Sequence, residues 1–250
     1  MFEMLSKNIY LRPCDHYTDR PNIGLVCGER RALLFDAGNS AANVELLKAE
    51  LAAASLPCPD LVALSHWHWD HSFGAQFWGV PVIAGRATDA QLRVMENWAW
   101  DDDAMERRLE TGEDIRFCHE MIKREYLDRG LISVSRADIV FDGRLTIDLG
   151  GLECQLIHVQ GPHSEDSVIC YVPSEKFVFL GDSNGKDFYG QPWNFDIEHE
   201  EELVPTISAL PYDEKKLRAY RELLSTLDFD TCIGGHAPAM SRQELFDSLS

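Results

Sequence analysis

Ser65-His66-Trp67-His68-Trp69-Asp70-His71 is the stretch on which the reading of this chain turns. Four residues of metal-ligating type fall within six positions, and three of the chain's nine histidines are among them. In an extended segment, side chains at i and i+2 point the same way, so His66 and His68 can share one ion. The chain must then turn to bring Asp70 and His71 near. A helical H-E-x-x-H site works differently, with its ligands at i and i+4. Asp60-Leu61-Val62-Ala63-Leu64-Ser65, just upstream, reads as a short buried strand. The cluster therefore sits at a strand's C-terminal end, where α/β folds commonly place ligands.

Further upstream, Asn22 to Cys27 and Arg31 to Phe35 are apolar runs parted by Gly28-Glu29-Arg30, a hairpin pattern. Asp36-Ala37-Gly38-Asn39-Ser40 follows, and Asn39 or Ser40 can cap a helix to about Ser55. Leu46, Leu47 and Leu51 form its apolar stripe; Pro57 and Pro59 end it. Downstream, Val80 to Ala84 is another short strand. From about 86 to 130 the chain is rich in Glu, Asp, Arg and Met and carries no strand signal. It predicts two or three helices, an insertion or cap on a sheet-based core. Trp98 and Trp100 within it stand at i and i+2 and so share no helical face. They are expected to anchor the insert or to line a pocket, and the insert is also the candidate homodimer contact. Asp101-Asp102-Asp103 reads as a solvated helix start.

Strand patterns return at Arg144 to Leu149, Leu152 to Val159, Ser167 to Val172 and Lys176 to Leu180. A looser stretch with Tyr189, Trp193 and His199 precedes a helix from Asp213 to Leu227 and a strand from Phe229 to Ile233. Ser241-Arg242-Gln243-Glu244 is a capping box for a terminal helix. Two packed sheets with helices outside would bury these faces, and one domain over 1–250 is expected.

Composition narrows the function. The 250 residues carry a formal charge of −19, which repels phosphate backbones and anionic membranes. Nucleic-acid and membrane partners are not expected; a small-molecule substrate is. The N-terminus lacks the basic and apolar regions of a signal peptide, and no apolar run nears the ~20 residues of a membrane span. The seven cysteines are scattered, with no C-x-x-C, which fits free thiols in a reducing cytoplasm.

More ligand candidates stand at predicted strand ends. They are His163 in Gly161-Pro162-His163-Ser164, Asp182 in Leu180-Gly181-Asp182 and His236 in Gly234-Gly235-His236. Gly or Pro precedes each and lets the backbone turn sharply. With Leu34-Phe35-Asp36-Ala37-Gly38 and the His66–His71 run, these pieces resemble the metallo-β-lactamase-fold superfamily, in that family's order and over nearly the whole chain. The family usually shows Pro-Gly-His where this chain has Gly161-Pro162-His163. His158, five residues earlier, is mid-strand and lacks the flanking turn. His16, His119 and His199 match no motif.

The resemblance implies an α/β fold, a four-layer αβ/βα sandwich with a helical insertion, its metal site along one sheet edge. It implies two divalent ions, zinc first, with iron or manganese as alternatives. His66, His68 and His163 would hold one; Asp70, His71 and His236 the other; Asp182 would bridge them, with Asp36 supporting the site. Two metals about 3.5–4 Å apart can hold a bridging hydroxide and polarise a carbonyl. The expected activity is hydrolysis of a small ester, lactone, thioester or amide, with Asp70 or Tyr189 assisting the leaving group. A secreted β-lactamase would need a signal peptide. A glyoxalase II would carry a helical region after its last metal His, where only 14 residues follow His236. The layout is similar to N-acyl homoserine lactonases. An iron-dependent oxidoreductase on the same fold and a phosphoester hydrolase are the alternatives; flavodiiron relatives replace a motif His with Glu, whereas His68 is retained here.

Overall fold

The computed structural model describes residues 1–189 and 210–250; Trp193 and His199 lie outside them. Among the described residues the strands form two sheets. The first runs β1 (Glu3–Met4), β2 (Ile9–Arg12), β3 (Ile23–Cys27), β4 (Ala32–Phe35), β5 (Leu61–Ala63), β6 (Val82–Gly85) and β7 (Ile139–Phe141), in that spatial order. Pairing is antiparallel from β1 to β4 and parallel from β4 to β7. The second holds β8 (Arg144–Asp148), β9 (Glu153–His158), β10 (Val168–Val172), β11 (Phe177–Gly181), β12 (Thr231–Gly234) and β13 (Met240–Ser241), ordered β13-β12-β11-β10-β9-β8. The helices are α1 (Ala41–Ala53), α2 (Trp69–Ser72), α3 (Arg86–Met95), α4 (Asp102–Thr111), α5 (Arg116–Glu125), α6 (Glu214–Ser225) and α7 (Arg242–Ser248).

Alternation along the strands builds the layers. Leu33 and Phe35 of β4 face Val168, Cys170, Phe177 and Phe179 of the other sheet in one apolar core. Their neighbours Ala32 and Leu34 turn outward onto α1 and the insert. On the second sheet Ile169, Tyr171, Val178 and Leu180 face outward onto Leu217, Tyr220 and Leu224 of α6 and Leu245 of α7. Residues i and i+1 of a strand point to opposite faces, so these strands, apolar on both faces, are covered on both. The result is helix, sheet, sheet, helix, the expected four-layer sandwich.

The Arg31–Phe35 hairpin partner, the Ser40 cap and the Ser241 capping box all form; Ser40 accepts the Asn43 N–H. The stripe on α1 differs from expectation. Leu46 is 38% exposed, and Val44 joins Leu47 and Leu51 in the core. The insert is three helices, α3 to α5, between β6 and β7. Trp98 and Trp100 lie in the loop between α3 and α4. Both rings pack against the Arg108 guanidinium, at 4.5 and 4.6 Å, and Trp100 meets Phe73 edge-on at 5.2 Å. Trp100 is thus an anchor of the insert. Asp101 caps α4 by accepting the Ala104 N–H. Among the described residues no helix is long and apolar enough to cross a membrane.

Candidate metal centre

Every ligand candidate emerges from a strand's C-terminal end or a turn on the same edge of the two sheets. Asp36 follows β4 with φ 68, a left-handed conformation that aspartate tolerates better than most residues. Its carboxylate spans two elements. Oδ1 accepts the Ser65 N–H at 2.7 Å beyond β5, and Oδ2 lies 2.8 Å from His71 Nδ1 in α2. His68 stands at the N-cap of α2 and Asp70 in its single turn. His163 lies on the β9–β10 turn, which is tied to the first loop by the Val168 N–H to the Ser65 carbonyl and by the Trp67 N–H to Asp166. Gly181 ends β11 with φ 53, and a Cβ there would lie 2.5 Å from that of Ser65; only glycine lets Asp182 follow at this approach. After β12, a Cβ on Gly235 would collide with Asp182 Oδ1, so the backbone carrying His236 passes directly beneath that carboxylate.

The side chains converge in three donor sets, each with its ligand atoms within 4.8 Å of one another: His66, His68 and His163; Asp70, His71 and His236; and His66, His71 and Asp182. His68 Nδ1 and His163 Nε2 are 3.0 Å apart. Asp70 Oδ2 is 2.9 Å from His71 Nε2 and 3.0 Å from His236 Nε2. Asp182 reaches both groups, 3.5 Å from His71 Nε2, 3.6 Å from His236 Nε2 and 3.7 Å from His163 Nε2. The outward ring nitrogens are engaged behind the site: His66 Nδ1 with Ser65 Oγ at 2.9 Å, His71 Nδ1 with Asp36, and His163 Nδ1 with the Lys186 carbonyl at 2.7 Å. Such partners orient metal-binding histidines and fix their tautomers. Buried polar atoms are nearly always hydrogen-bonded, yet buried His66 Nε2 has no hydrogen-bond partner among the described residues. These inward-facing nitrogens and carboxylates suit a divalent ion of the zinc, iron or manganese kind.

The electrostatics agree. Burial, with neighbouring His68 and His71 adding to it, drives His66 well below the ordinary histidine value. Burial and His163 do the same for His68. Both therefore present neutral rings. Burial opposes charge on His71 as well, but Asp70, Asp36 and Asp182 outweigh it and raise His71 well above the ordinary value. His236 rises to about 9 against its burial, chiefly through Asp182. Asp70 and Asp182, though buried, are held below the carboxylate range by His71 and His236.

A cavity of about 290 Å³ opens beside the donors. Tyr189 lines it, its ring 5.2 Å from that of His68 and 5.1 Å from that of Trp67. Its hydroxyl donates to buried Asp114 at 3.2 Å and lies 3.5 Å from Cys118 Sγ. Burial pushes Tyr189 well up and Asp114 up to about 6. Sequence patterns give no sign of Asp19, whose Oδ1 is 3.7 Å from His236 Nδ1, nor of Asp114 and Asp166. An isolated Asp in a polar stretch carries no signal until the fold supplies its partner. His16 lines the cavity. His119 is buried in α5, and His158 stays at its strand, Nε2 2.9 Å from the Glu165 carbonyl.

Comparison with known proteins bears on this arrangement. A family model described as the metallo-beta-lactamase superfamily matches residues 17–236. The acyl-coenzyme A thioesterase MBLAC2 of Gallus gallus is 29% identical over 176 residues, 66% of this chain, and the match spans only 57% of that protein. Among solved structures, a metallo-beta-lactamase from Pontibacter korlensis superposes with a TM-score of 0.63 at 17% identity, covering 100% of this chain and 96% of that one. A metallo-beta-lactamase family protein from Thermus thermophilus gives 0.63 at 16%, covering 98% and 79%. At these identities the two structures speak for the fold.

Proposed function

Since the chain belongs to the metallo-beta-lactamase superfamily, we propose that it is a dinuclear metal-dependent hydrolase of small acyl substrates. Thioesters come first, ahead of esters, lactones and amides. The observation that carries this reading is the pair of donor triads with Asp182 within 3.7 Å of both. His66, His68 and His163 would hold one ion, Asp70, His71 and His236 the second, with Asp182 between them; zinc is the first choice. Divalent ions held there supply a water ionised near neutral pH and a Lewis acid for the carbonyl.

The chain's own residues do the rest. Asp36, Ser65 and the Lys186 carbonyl fix three rings with their free nitrogens inward. Asp70, kept ionised by His71 and His236, brings negative charge to the second donor set. Phe188 and Tyr189 exclude water along one side of the cavity. The Tyr189 hydroxyl is spent on Asp114, so we give Tyr189 a packing part in place of the expected proton-donating one. A leaving group here departs with little help from a protein acid. A thiolate can do so, because its thiol has a pKa of about 8.5. The thioesterase name of the chicken relative points the same way.

The test is a substrate panel on protein purified without added metal, analysed for metal and then loaded with zinc. Thioester hydrolysis with two ions per chain is expected, thioesters exceeding oxygen esters and phosphoesters. Iron with oxygen consumption and no hydrolysis would overturn the reading, as would phosphoester turnover alone.

A further inference from the structure

We infer that the cavity beside the donors is an acyl-binding pocket whose far wall the helical insertion builds, and that it takes an uncharged, apolar acyl group. The inference rests on the hydrolase reading for its chemistry and on independent geometry for its shape. The start of α5 supplies Ile115, Phe117 and Cys118 to one side; Phe188 and Tyr189 face them from the segment after β11. The two sides are joined by the Tyr189 hydroxyl, which donates to Asp114 directly before Ile115 and touches Cys118. The insert therefore sets the width of the pocket and holds the opposing aromatic in place.

Polarity runs along the pocket. The Asp and His lining residues gather at the donor end, where Asp19 is 3.7 Å from His236 and the His16 ring is 6.3 Å from that of His236. Among the described residues no Lys or Arg lines the cavity. A carboxylate or phosphate on the far end of an acyl chain would meet apolar walls and no counter-charge, which is costly. Residues Ile115, Phe117 and Cys118 on one side and Phe188 and Tyr189 on the other give the apolar wall against which a chain would lie.

The experiment uses the zinc-loaded full chain and S-acyl-N-acetylcysteamine thioesters from acetyl to dodecanoyl, with glutaryl as the charged member. Each methylene placed against the wall is expected to raise kcat/KM about fourfold, with a plateau once the chain outgrows the wall. Glutaryl should fall about tenfold or more below pentanoyl. Ile115→Trp should cut the hexanoyl-to-acetyl ratio about fifteenfold, by removing the space of two methylenes. Cys118→Leu is the milder second variant and should shorten the optimum by about one carbon. A flat series, a preference for glutaryl, or an unchanged ratio in folded variants would overturn the pocket. If no thioester, ester, lactone or amide is hydrolysed, the hydrolase reading falls and the pocket is read by calorimetry with acetate and hexanoate. Tighter hexanoate binding that Ile115→Trp abolishes keeps the pocket; equal binding of the two acids overturns it.

Discussion

Replacing Asp36 by Asn tests whether a residue outside the donor sets governs one of them. Asp36 is buried and accepts from two sides, the Ser65 N–H at 2.7 Å and His71 Nδ1 at 2.8 Å. Asn has the same shape and tolerates φ 68, so the turn survives, but it offers one oxygen where Asp offers two. The Ser65 N–H cannot surrender its proton, so the amide oxygen stays with it and the NH2 group faces His71. His71 Nδ1 must then accept, and its proton moves to Nε2, the atom 2.9 Å from Asp70 Oδ2 and 3.5 Å from Asp182 Oδ1. A nitrogen carrying a proton toward an ion is no ligand. Loss of a carboxylate behind a metal-binding His weakens metal affinity about 10–100-fold, or about 1.4–2.7 kcal/mol. The forced tautomer places Asp36→Asn at the upper end. The His66, His68 and His163 set keeps its donors. Zinc titration in chelator buffers, with circular dichroism to verify folding, should show one ion held as before and the second weakened. Two ions bound with unchanged affinity by a folded Asp36→Asn protein would refute the tautomer argument.

Asp182→Asn should lower both affinities at once, because one carboxylate serves both triads; metal analysis after dialysis reads it, and loss of only one ion would contradict a shared role. Gly235→Ala should lose metal while remaining folded, since its Cβ would displace the Asp182 carboxylate; full occupancy would show that the backbone there has room to move. The metal-free protein should lose stability between about pH 7 and 9. Below that range the terms oppose each other: His66 and His68, lowered by burial, add stability as pH rises to the unfolded value of about 6.5, while Asp19 and Asp114, raised by burial to about 7 and about 6, lose it. His236 and His71, raised mainly by carboxylates against their burial, lose theirs as pH climbs from about 6.5 through about 9. Chelator-treated protein melted from pH 5 to 10 tests this, and a Tm that climbs steadily to pH 9 would be the wrong sign. Binding should also release protons at pH 7, detectable as buffer-dependent calorimetric enthalpy. Trp100→Ala should cost about 3–5 kcal/mol in denaturant unfolding, since Trp100 is buried against Phe73 and Arg108.

What can be read from the chain is what is local. The His66–His71 run, the Gly-flanked His163, Asp182 and His236, and the Ser40 and Ser241 caps all carry their meaning within a few residues. The strands apolar on both faces, β4, β10 and β11, stand out for the same reason. Strand β1 has two exposed residues, and β7 has an exposed Ile139 beside one buried Phe141, so neither shows a period. Leu46 falls outside the packed stripe because three leucines look equal in sequence, whereas the α1 face that packs is set by Val44 and Leu47. The partners of the donors are illegible for another reason. Asp19 meets His236, Asp114 meets Tyr189 and Asp166 meets Trp67 across large sequence separations. A lone carboxylate has no pattern until the fold closes that distance.

The insert shows how those long-range contacts reach the donors. At one end Trp100 packs on Phe73, the residue that closes α2, and α2 carries Asp70 and His71. At the other end Glu125 pairs with Arg20 through both carboxylate oxygens and accepts the Ser40 hydroxyl, while the Tyr126 hydroxyl donates to the Asn39 carbonyl at 2.8 Å. Both Asn39 and Ser40 belong to the turn that begins with Asp36, the residue behind His71. Between these ends lies Asp114, which holds Tyr189 against the ring of His68. Three helices thus grip the second donor set from front and back and the first set through one aromatic ring. A segment that carries no ligand of its own then bears on ligand geometry through packing alone. Interiors this close-packed transmit displacement, so changes of substrate fit in the insert and changes of metal affinity are expected to travel together.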